Sequence, residues 1–304
     1  MFLRQLEYLT ALARERHFGR AAEACHVSQP ALSAAIRKLE EELGVPLVLR
    51  EQRYDDLTAE GRELLRWAQQ TVASVDGLVA EAARLRDQLT GTLTIGVVPS
   101  ALLAISLITG RLLDSHPDVR VEVRSMSSTE IVRRLDNHDI DAGLTYLENE
   151  PLGAVTTTPI YHERYIFLTA SPYPAGDTIR WGDLTDVPLC LLTPEMQNRR
   201  IIDAALQTAG AGVTPRVEAN SVSALLSFAR AGRPCVIAHT WLALHGLPPG
   251  TRGLTLIDPD VTHVIGLVTP STKLVHPIVR ALILELNAVD IDNELSRGLR
   301  SLDQ

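Results

Sequence analysis

Apolar residues recur at helical spacing at the start of the chain and give way to strand-like runs further on. Leu3, Leu6, Leu9, Leu12 and Ala13 mark one face of a helix. FGRAAEAC, from Phe18 to Cys25, reads as a second helix built of small residues. HVSQPALSAAIRKLEEELG, from His26 to Gly44, reads as a third. Leu32, Ile36, Leu39 and Leu43 share one face, and Ser33, Arg37 and Lys38 point elsewhere. Ser28 is a good N-cap, Pro30 suits the first turn, and Gly44 with Pro46 ends the helix. His26 falls in the preceding turn, where His tolerates a left-handed backbone better than most residues. LVLREQRYDDLT then alternates enough for a hairpin or wing.

From Thr58 to Thr90 the pattern predicts one long helix. Thr58 is its N-cap, with Glu60 and Glu63 in the early turns. Leu64, Leu65, Ala68, Val72, Val75, Leu78, Val79, Ala82 and Leu85 keep a three-and-four rhythm, and Thr90-Gly91 stops it. The length favours pairing with a second copy over packing on its own domain. Beyond Gly91, strand-like runs (LTIGVVP, VRVEVRSM, IDAGLTY, YIFLTA, VPLCLL, PCVIA, HVIGLVT) interleave with helix-like ones (SALLAISLITGRLLDSH, STEIVRRLDNHD, NRRIIDAALQTAG, SVSALLSFARAG). This alternation predicts an α/β domain with largely parallel sheets. Two such units, with crossings near residues 160 and 264, leave a cleft between them.

Composition adds limits. The 304 residues allow two or three domains, and 45% hydrophobic with 22% charged content is ordinary for a globular protein. A formal charge of −8 offers no bulk attraction to nucleic acid, so any such binding needs a local patch. Residues 1–58 carry eight bases and nine acids, so the bases must be segregated to one face and doubled by dimerisation. Cys25, Cys190 and Cys235 are too few and too scattered for a disulfide framework and fit buried structural thiols. With charges interrupting the N-terminal stretch and no apolar run long enough to span a membrane, a cytoplasmic protein with no membrane partner is expected.

Helix, short turn, helix with a polar N-terminus is the sequence shape of a helix-turn-helix. Its second helix would hold Ser28, Gln29, Ala31 and Ser33 near bases or phosphates. Periodicity alone does not separate this from an ordinary amphipathic helix, and Glu40, Glu41 and Glu42 fit a solvated second half in either case.

From Phe18 to Leu65, the elements AA, HVSQPALS, I-x-x-LE, ELG-x-P-L and LT-x-x-G stand in order. On these motifs the chain resembles the LysR-type transcriptional regulators, specifically over about its first 65 residues and more loosely through GTLTIGV, HPDVRVEV, STEIVRRLDNHDIDAGL and GRPCVIA. The resemblance implies an α+β multidomain protein. It has a winged helix-turn-helix over residues 1–58, a dimerising linker helix over 59–90, and a two-subdomain α/β effector domain of the periplasmic-binding-protein type over 91–304. Subdomain I spans about 91–160 and 265–304, and subdomain II about 161–264. The implied partners are double-stranded promoter DNA, a small effector, a second copy through the linker helix, a tetramer, and RNA polymerase. No cofactor or metal is implied. Ser28, Gln29, Pro30 and Ser33 match the recognition-helix motif, and Arg50 and Arg53 match wing positions. Ala34 stands where the family commonly has Arg, so Arg37 or Lys38 would have to substitute. The N-terminal stretch is most similar to the peroxide-sensing members. Their sensing cysteine would fall in TPEMQNRR, which has none.

An α/β cleft binds ligands where strand ends meet helix N-termini, whose free N–H groups suit an anion. Ser100, Ser128, Thr129 and Thr193 match the family's cleft positions. Ser221, Gln197, Arg199, His162 and His239 are further candidates. Each Ser or Thr alone reads first as a helix cap, but one cleft would gather them, and a small anionic metabolite is the expected effector. Two rival classes find less support. No G-x-S-x-G, H-E-x-x-H, paired C-x-x-C or P-loop motif supports an enzyme. The G-x-G of TAGAGVTP follows a helix and lacks the third glycine. The nine histidines lack ligand spacing for a metal. A solute-binding protein would share the C-terminal fold but not the N-terminal 90 residues.

Overall fold

The computed structural model describes residues 1–49, 56–86, 88–170, 176–272 and 274–300. The chain divides into two compact units, Met1–Asp87 and Gln88–Gln304.

The first unit opens with three helices, α1 (Leu3–Glu15), α2 (Phe18–Ala24) and α3 (Gln29–Leu43). His17 starts α2, its Nδ1 accepting from the Gly19 and Arg20 amides at 3.0 and 3.3 Å. Ser28 caps α3 by accepting from Ala31 N–H, Pro30 lies in its first turn, and His26 in the connection has φ 55°. Leu32, Ile36 and Leu39 are fully buried, but Leu43 is 40% exposed, because the helix leaves the core in its last turn. The acids that follow are not uniformly solvated. Glu40 is half-buried, and its Oε1 accepts from Leu47 N–H at 2.8 Å and Val48 N–H at 3.2 Å. Glu41 and Glu42 are exposed, and Glu42 pairs with the N-terminal ammonium. Glu40 thereby anchors the chain entering a two-stranded ribbon, β1 (Val48–Leu49) with β2 (Asp56–Leu57), antiparallel with Val48 opposite Leu57. The tip, residues 50–55, lies outside the described residues.

α4 (Ala59–Arg84) begins at Thr58, whose Oγ1 accepts from Gly61 N–H at 2.8 Å and donates to Pro46 O at 2.7 Å. A cap of this kind contributes on the order of 1 kcal/mol. Gly61 is required here: a Cβ would lie 2.1 Å from the Leu47 carbonyl oxygen. Leu64, Leu65, Ala68 and Val72 pack against the core formed by α1–α3, which closes this unit.

The second unit contains two mixed sheets. Its elements run β3 (Gly91–Val97), α5 (Ile105–Ser115), β4 (Val119–Ser125), α6 (Ser128–Asp136), β5 (Ala142–Tyr146), β6 (Val155–Glu163), β7 (Tyr165–Thr169), β8 (Thr178–Arg180), β9 (Cys190–Leu192), α7 (Gln197–Thr208), β10 (Val217–Ala219), α8 (Val222–Arg230), β11 (Cys235–Ala238), α9 (Thr240–His245), β12 (Arg252–Ile257), β13 (His263–Pro270), α10 (Pro277–Asn287) and α11 (Ile291–Arg300). One sheet has the order β4-β3-β5-β13-β6 and the other β10-β9-β11-β7-β12-β8. The expectation of largely parallel sheets needs correction. β13 runs antiparallel to both β5 and β6, and β7 antiparallel to both β11 and β12. The cause is that strands, not helices, carry the chain between the sheets. β6 passes directly into β7 through the single residue Arg164, and β12 returns to β13 across residues 258–262.

Helices pack closely on these sheets. At Gly143 in β5 a Cβ would lie 2.3 Å from Ile131 of α6, so this strand position must stay bare for α6 to reach the sheet. Cys190 and Cys235 are buried, and Cys25 sits half-buried at the C-cap of α2 rather than inside the helix. Burial raises the pKa of all three thiols, as expected of unreactive ones.

Candidate functional site

On the first unit, Ser28, Gln29, Pro30, Ala31, Ala34 and Arg37 are all exposed, and Ser33 is half-buried among them. They form the outer face of the first half of α3, while Leu32, Ile36 and Leu39 hold the inner face in the core. Lys38 is exposed but turns toward the start of α1, its ammonium 5.6 Å from the centre of the Phe2 ring. Arg50 and Arg53 fall outside the described residues. Asp56 lies at the base of the ribbon, where it accepts from Arg62 Nη2 at 2.9 Å. The Leu57 amide, and then Arg62, hold its carboxyl below the usual range.

On the second unit, the first turn of α7 meets the end of β5, and several candidates gather there. Ser100 is buried after β3, its Oγ 3.0 Å from the Tyr146 hydroxyl at the end of β5. Asn198 of α7 donates to the same hydroxyl at 3.0 Å, and Tyr146 in turn donates to Glu163 of β6. The hydroxyl of Tyr165, first residue of β7, lies 3.5 Å from the Tyr146 hydroxyl. Gln197 is buried and donates to Glu148 O at 2.8 Å. Ser128, also buried, donates to Glu150 at 2.8 Å, and Arg200 of α7 donates to the same carboxylate at 2.6 Å. Thr129 is exposed beside Ser128, with its Oγ1 3.1 Å from Ser127 Oγ. The contacts thus join the β3–β5–β6 side of the domain to the α7 side.

The remaining candidates are placed elsewhere. Thr193 and Ser221 lie together at the ends of β9 and β10, where Thr193 N–H donates to Ala219 O at 3.0 Å. Thr193 Oγ1 donates to Glu195 at 2.6 Å, and the Ser221 side chain makes no cap bond. Arg199 is spent within its own half, donating to Asp203, Glu218 and Leu192 O at 2.6–3.0 Å. His162 faces outward, away from the junction, to Asp292 of α11: its N–H and Nδ1 lie 2.9 and 3.0 Å from the carboxylate. His239 is buried next to the crossing, its Nδ1 accepting from Arg164 N–H at 2.9 Å. Burial lowers its pKa and favours the neutral ring.

Strand alternation explains the residues that sequence reasoning missed. Along β6, Tyr161 and Glu163 are buried while His162 between them is exposed. Tyr146, Tyr161, Glu163, Tyr165, Asn198 and Thr240 are all buried. Burial pushes the Glu163 carboxyl up to about 7, against the opposing pull of Tyr146, Ser100, Asn198 and Tyr161. The same burial, and then the Glu163 charge, raise the three tyrosine hydroxyls well above their usual range.

A helical reading head with a two-stranded wing, in a chain whose other unit gathers buried polar groups between two sheets, defines a ligand-responsive DNA-binding regulator. The chain belongs to the LysR family of bacterial transcriptional regulators. Residues 3–62 match the family described as bacterial regulatory helix-turn-helix protein, lysR family, and residues 86–290 match the LysR substrate binding domain. The chain is 30% identical over 282 residues to the DNA-binding transcriptional dual regulator OxyR of Escherichia coli, covering 88% of this chain and 89% of that one. It is also 30% identical over 273 residues to the HTH-type transcriptional regulator IlvR of Caulobacter vibrioides, covering 88% and 92%. In fold it is similar to a full-length OxyR variant from Pseudomonas aeruginosa, with TM-score 0.77, 24% identity and 97% of each chain covered. The full-length CbnR solved with its target DNA has TM-score 0.65 at 22% identity, covering 95% of this chain and 99% of that one. The protein is therefore a DNA-binding transcriptional regulator with an effector-binding domain, not an enzyme. Among the described residues no helix is long and apolar enough to cross a membrane.

Proposed function

We propose that residues 1–58 read a promoter through Ser28, Gln29, Pro30, Ala31, Ser33 and Arg37 on α3, with Lys38 at its side and Arg50 and Arg53 on the wing. Residues 59–90 pair two copies, and residues 91–304 receive a small effector. The observation that carries this reading is the exposed polar first half of α3 over a fully buried second face. A recognition helix lays such an N-terminal half against base edges. A cytoplasmic tetramer acting on promoter DNA, with RNA polymerase as a further partner, completes the proposal.

We place the effector site at the α7–β5 junction, with Ser100, Ser128, Thr129 and Gln197 around it and Thr193, Ser221 and His239 as candidates outside that cluster. An anionic group suits the first turn of α6, where it would take the place of the Glu150 carboxylate that Ser128 and Arg200 now hold. The test is a mobility shift with DNA from upstream of the protein's own gene. The full chain should shift it at low salt, and deletion of residues 1–58 should abolish the shift. No shift by the full chain overturns the regulator reading for this DNA-binding surface. A thermal-shift screen in which carboxylates all fail and neutral compounds stabilise would overturn the anionic reading.

A further inference from the structure

At the α7–β5 junction one side chain of the protein already fills the place an anion would take. Glu150, in the connection from β5 to β6, accepts from Ser128 Oγ at 2.8 Å and from Arg200 Nε at 2.6 Å. Its carboxylate also pairs with Arg200 Nη2. The donors are oriented toward it. Arg200 Nη1 is fixed on Pro194 O at 2.9 Å, and Arg200 Nη2 donates to Ser128 Oγ at 3.3 Å. A guanidinium only donates, so the Ser128 hydroxyl proton is left for the carboxylate. Ser128 is 2% exposed, so that proton depends on an acceptor seated here. Arg199 shows the contrast. Its carboxylates, Asp203 and Glu218, come from the α7 side of the domain, whereas the partner of Arg200 lies 50 residues back along the chain, on the other side.

The segment carrying Glu150 is held without its carboxylate. Leu147 N–H donates to Val264 O at 2.9 Å, and Gln197 Nε2 donates to Glu148 O at 2.8 Å. Asn149 Nδ2 lies 3.0 Å from His263 Nδ1. The side chains of Glu150 and Arg200 are 21% and 37% exposed, so the pair opens to solvent. Rotation of the Glu150 side chain thus frees Ser128 and Arg200 while the backbone stays pinned.

We propose that Glu150 is a tethered competitor of the effector, its carboxylate holding the Ser128–Arg200 seat until a ligand carboxylate replaces it. The proposal rests on the reading of this junction as the effector site. A tethered group acts at an effective concentration set by its tether, in the millimolar range for a short flexible one. A bare anion at lower concentration does not displace it. A ligand must bring further contacts of its own, so Glu150 turns a general anion seat into a selective one. Exchange also replaces an internal bridge between the two sides of the domain with one that runs through the ligand.

Glu150→Ala removes the heavy atoms that an acetate ion restores. The test is thermal melting of the full-length wild type and variant, titrated with sodium acetate, acetamide or sodium chloride to high millimolar concentration. Acetate should raise the melting temperature of Glu150→Ala saturably, by about 4 °C or more. The same rise in the wild type should need at least about tenfold more acetate. Acetamide and chloride should not reproduce it, and adding Ser128→Ala to Glu150→Ala should weaken it. Glu150→Gln, which keeps the shape, serves if Glu150→Ala does not fold, and it should take acetate more tightly than the wild type. The proposal is overturned if acetate acts equally on wild type and variant, or on neither. It is likewise overturned if chloride matches acetate, or if the double variant responds as the single one. Failure of larger carboxylates to stabilise the wild type, with acetate still restoring Glu150→Ala, would instead count against the effector reading alone.

Discussion

Glu163 shows most clearly how one residue couples stability to solution conditions. Its carboxyl is raised from an ordinary 4.5 to about 7 by burial. The folded state therefore holds a proton that the unfolded chain releases across that interval. Sign follows directly: the contribution is fully present below about 4.5 and is lost as pH rises through 7. The size is on the order of 3 kcal/mol between those limits. Glu163→Gln removes the titration and keeps the shape. Its melting temperature should fall less than that of the wild type between acid and mildly alkaline pH, and above neutrality the variant should be the more stable protein. Parallel melting curves for both proteins across this range would show that Glu163 does not titrate in the fold. The residue is not legible in the sequence because it follows His162 in a strand whose alternation can be read in either register. Residue type alone favours His162, which the structure turns outward to Asp292. A one-residue shift in a strand exchanges its two faces. Ser100, Ser128 and Gln197 are legible because each sits next to a strand end or helix start that the pattern locates.

At the scale of elements, the helices are more securely legible than the strands. Ser28, Thr58 and Gly44 announce their caps, and the structure places α3 and the start of α4 within a residue of those signals, whereas α4 ends at Arg84, short of the stop expected at Thr90-Gly91. β8, β10 and β12 carry no clear pattern, since each is short or only half-buried. The antiparallel pairings of β7 and β13 follow from strand-to-strand crossings that no local pattern encodes. Glu40 likewise reads as solvated in sequence, because its partners Leu47 and Val48 are seven and eight residues away along the chain. α4 permits a prediction of its own. Trp67, Leu78 and Leu85 are 69–72% exposed and fall on one stripe of the helix. Thr71 and Ser74 lie on that stripe too, their hydroxyls turned back onto the carbonyls of Trp67 and Gln70 at 2.7 and 2.8 Å. An apolar stripe of this length in water is offset by a partner helix. Leu78→Asp should therefore lower the sedimentation coefficient toward that of a smaller assembly while leaving the monomer fold intact. Unchanged sedimentation would remove this stripe from the interface.

For the whole molecule, the question is how a chain of net charge −8 holds a polyanion. Bulk attraction is excluded, so binding must come from few cations on a restricted surface, repeated by assembly. The described residues sort these cations. Arg37 projects from the exposed face of α3 with no ion pair among the described residues, whereas Lys38 is held over the Phe2 ring. Arg14, Arg62 and Arg66 are already engaged by carboxylates of their own unit. Arg37 should then be the described cation of α3 that displaces counterions from DNA. In a dimer each substitution is made twice. Arg37→Ala should thus reduce the slope of log affinity against log salt by roughly 2, since each phosphate no longer neutralised lowers it by about 0.9. Lys38→Ala should change that slope less, because its ammonium already has a partner. The measurement is a mobility-shift titration at several salt concentrations. Equal slopes for wild type and Arg37→Ala would move the phosphate contacts off α3. The wing, with Arg50 and Arg53, would then carry the electrostatic share of binding.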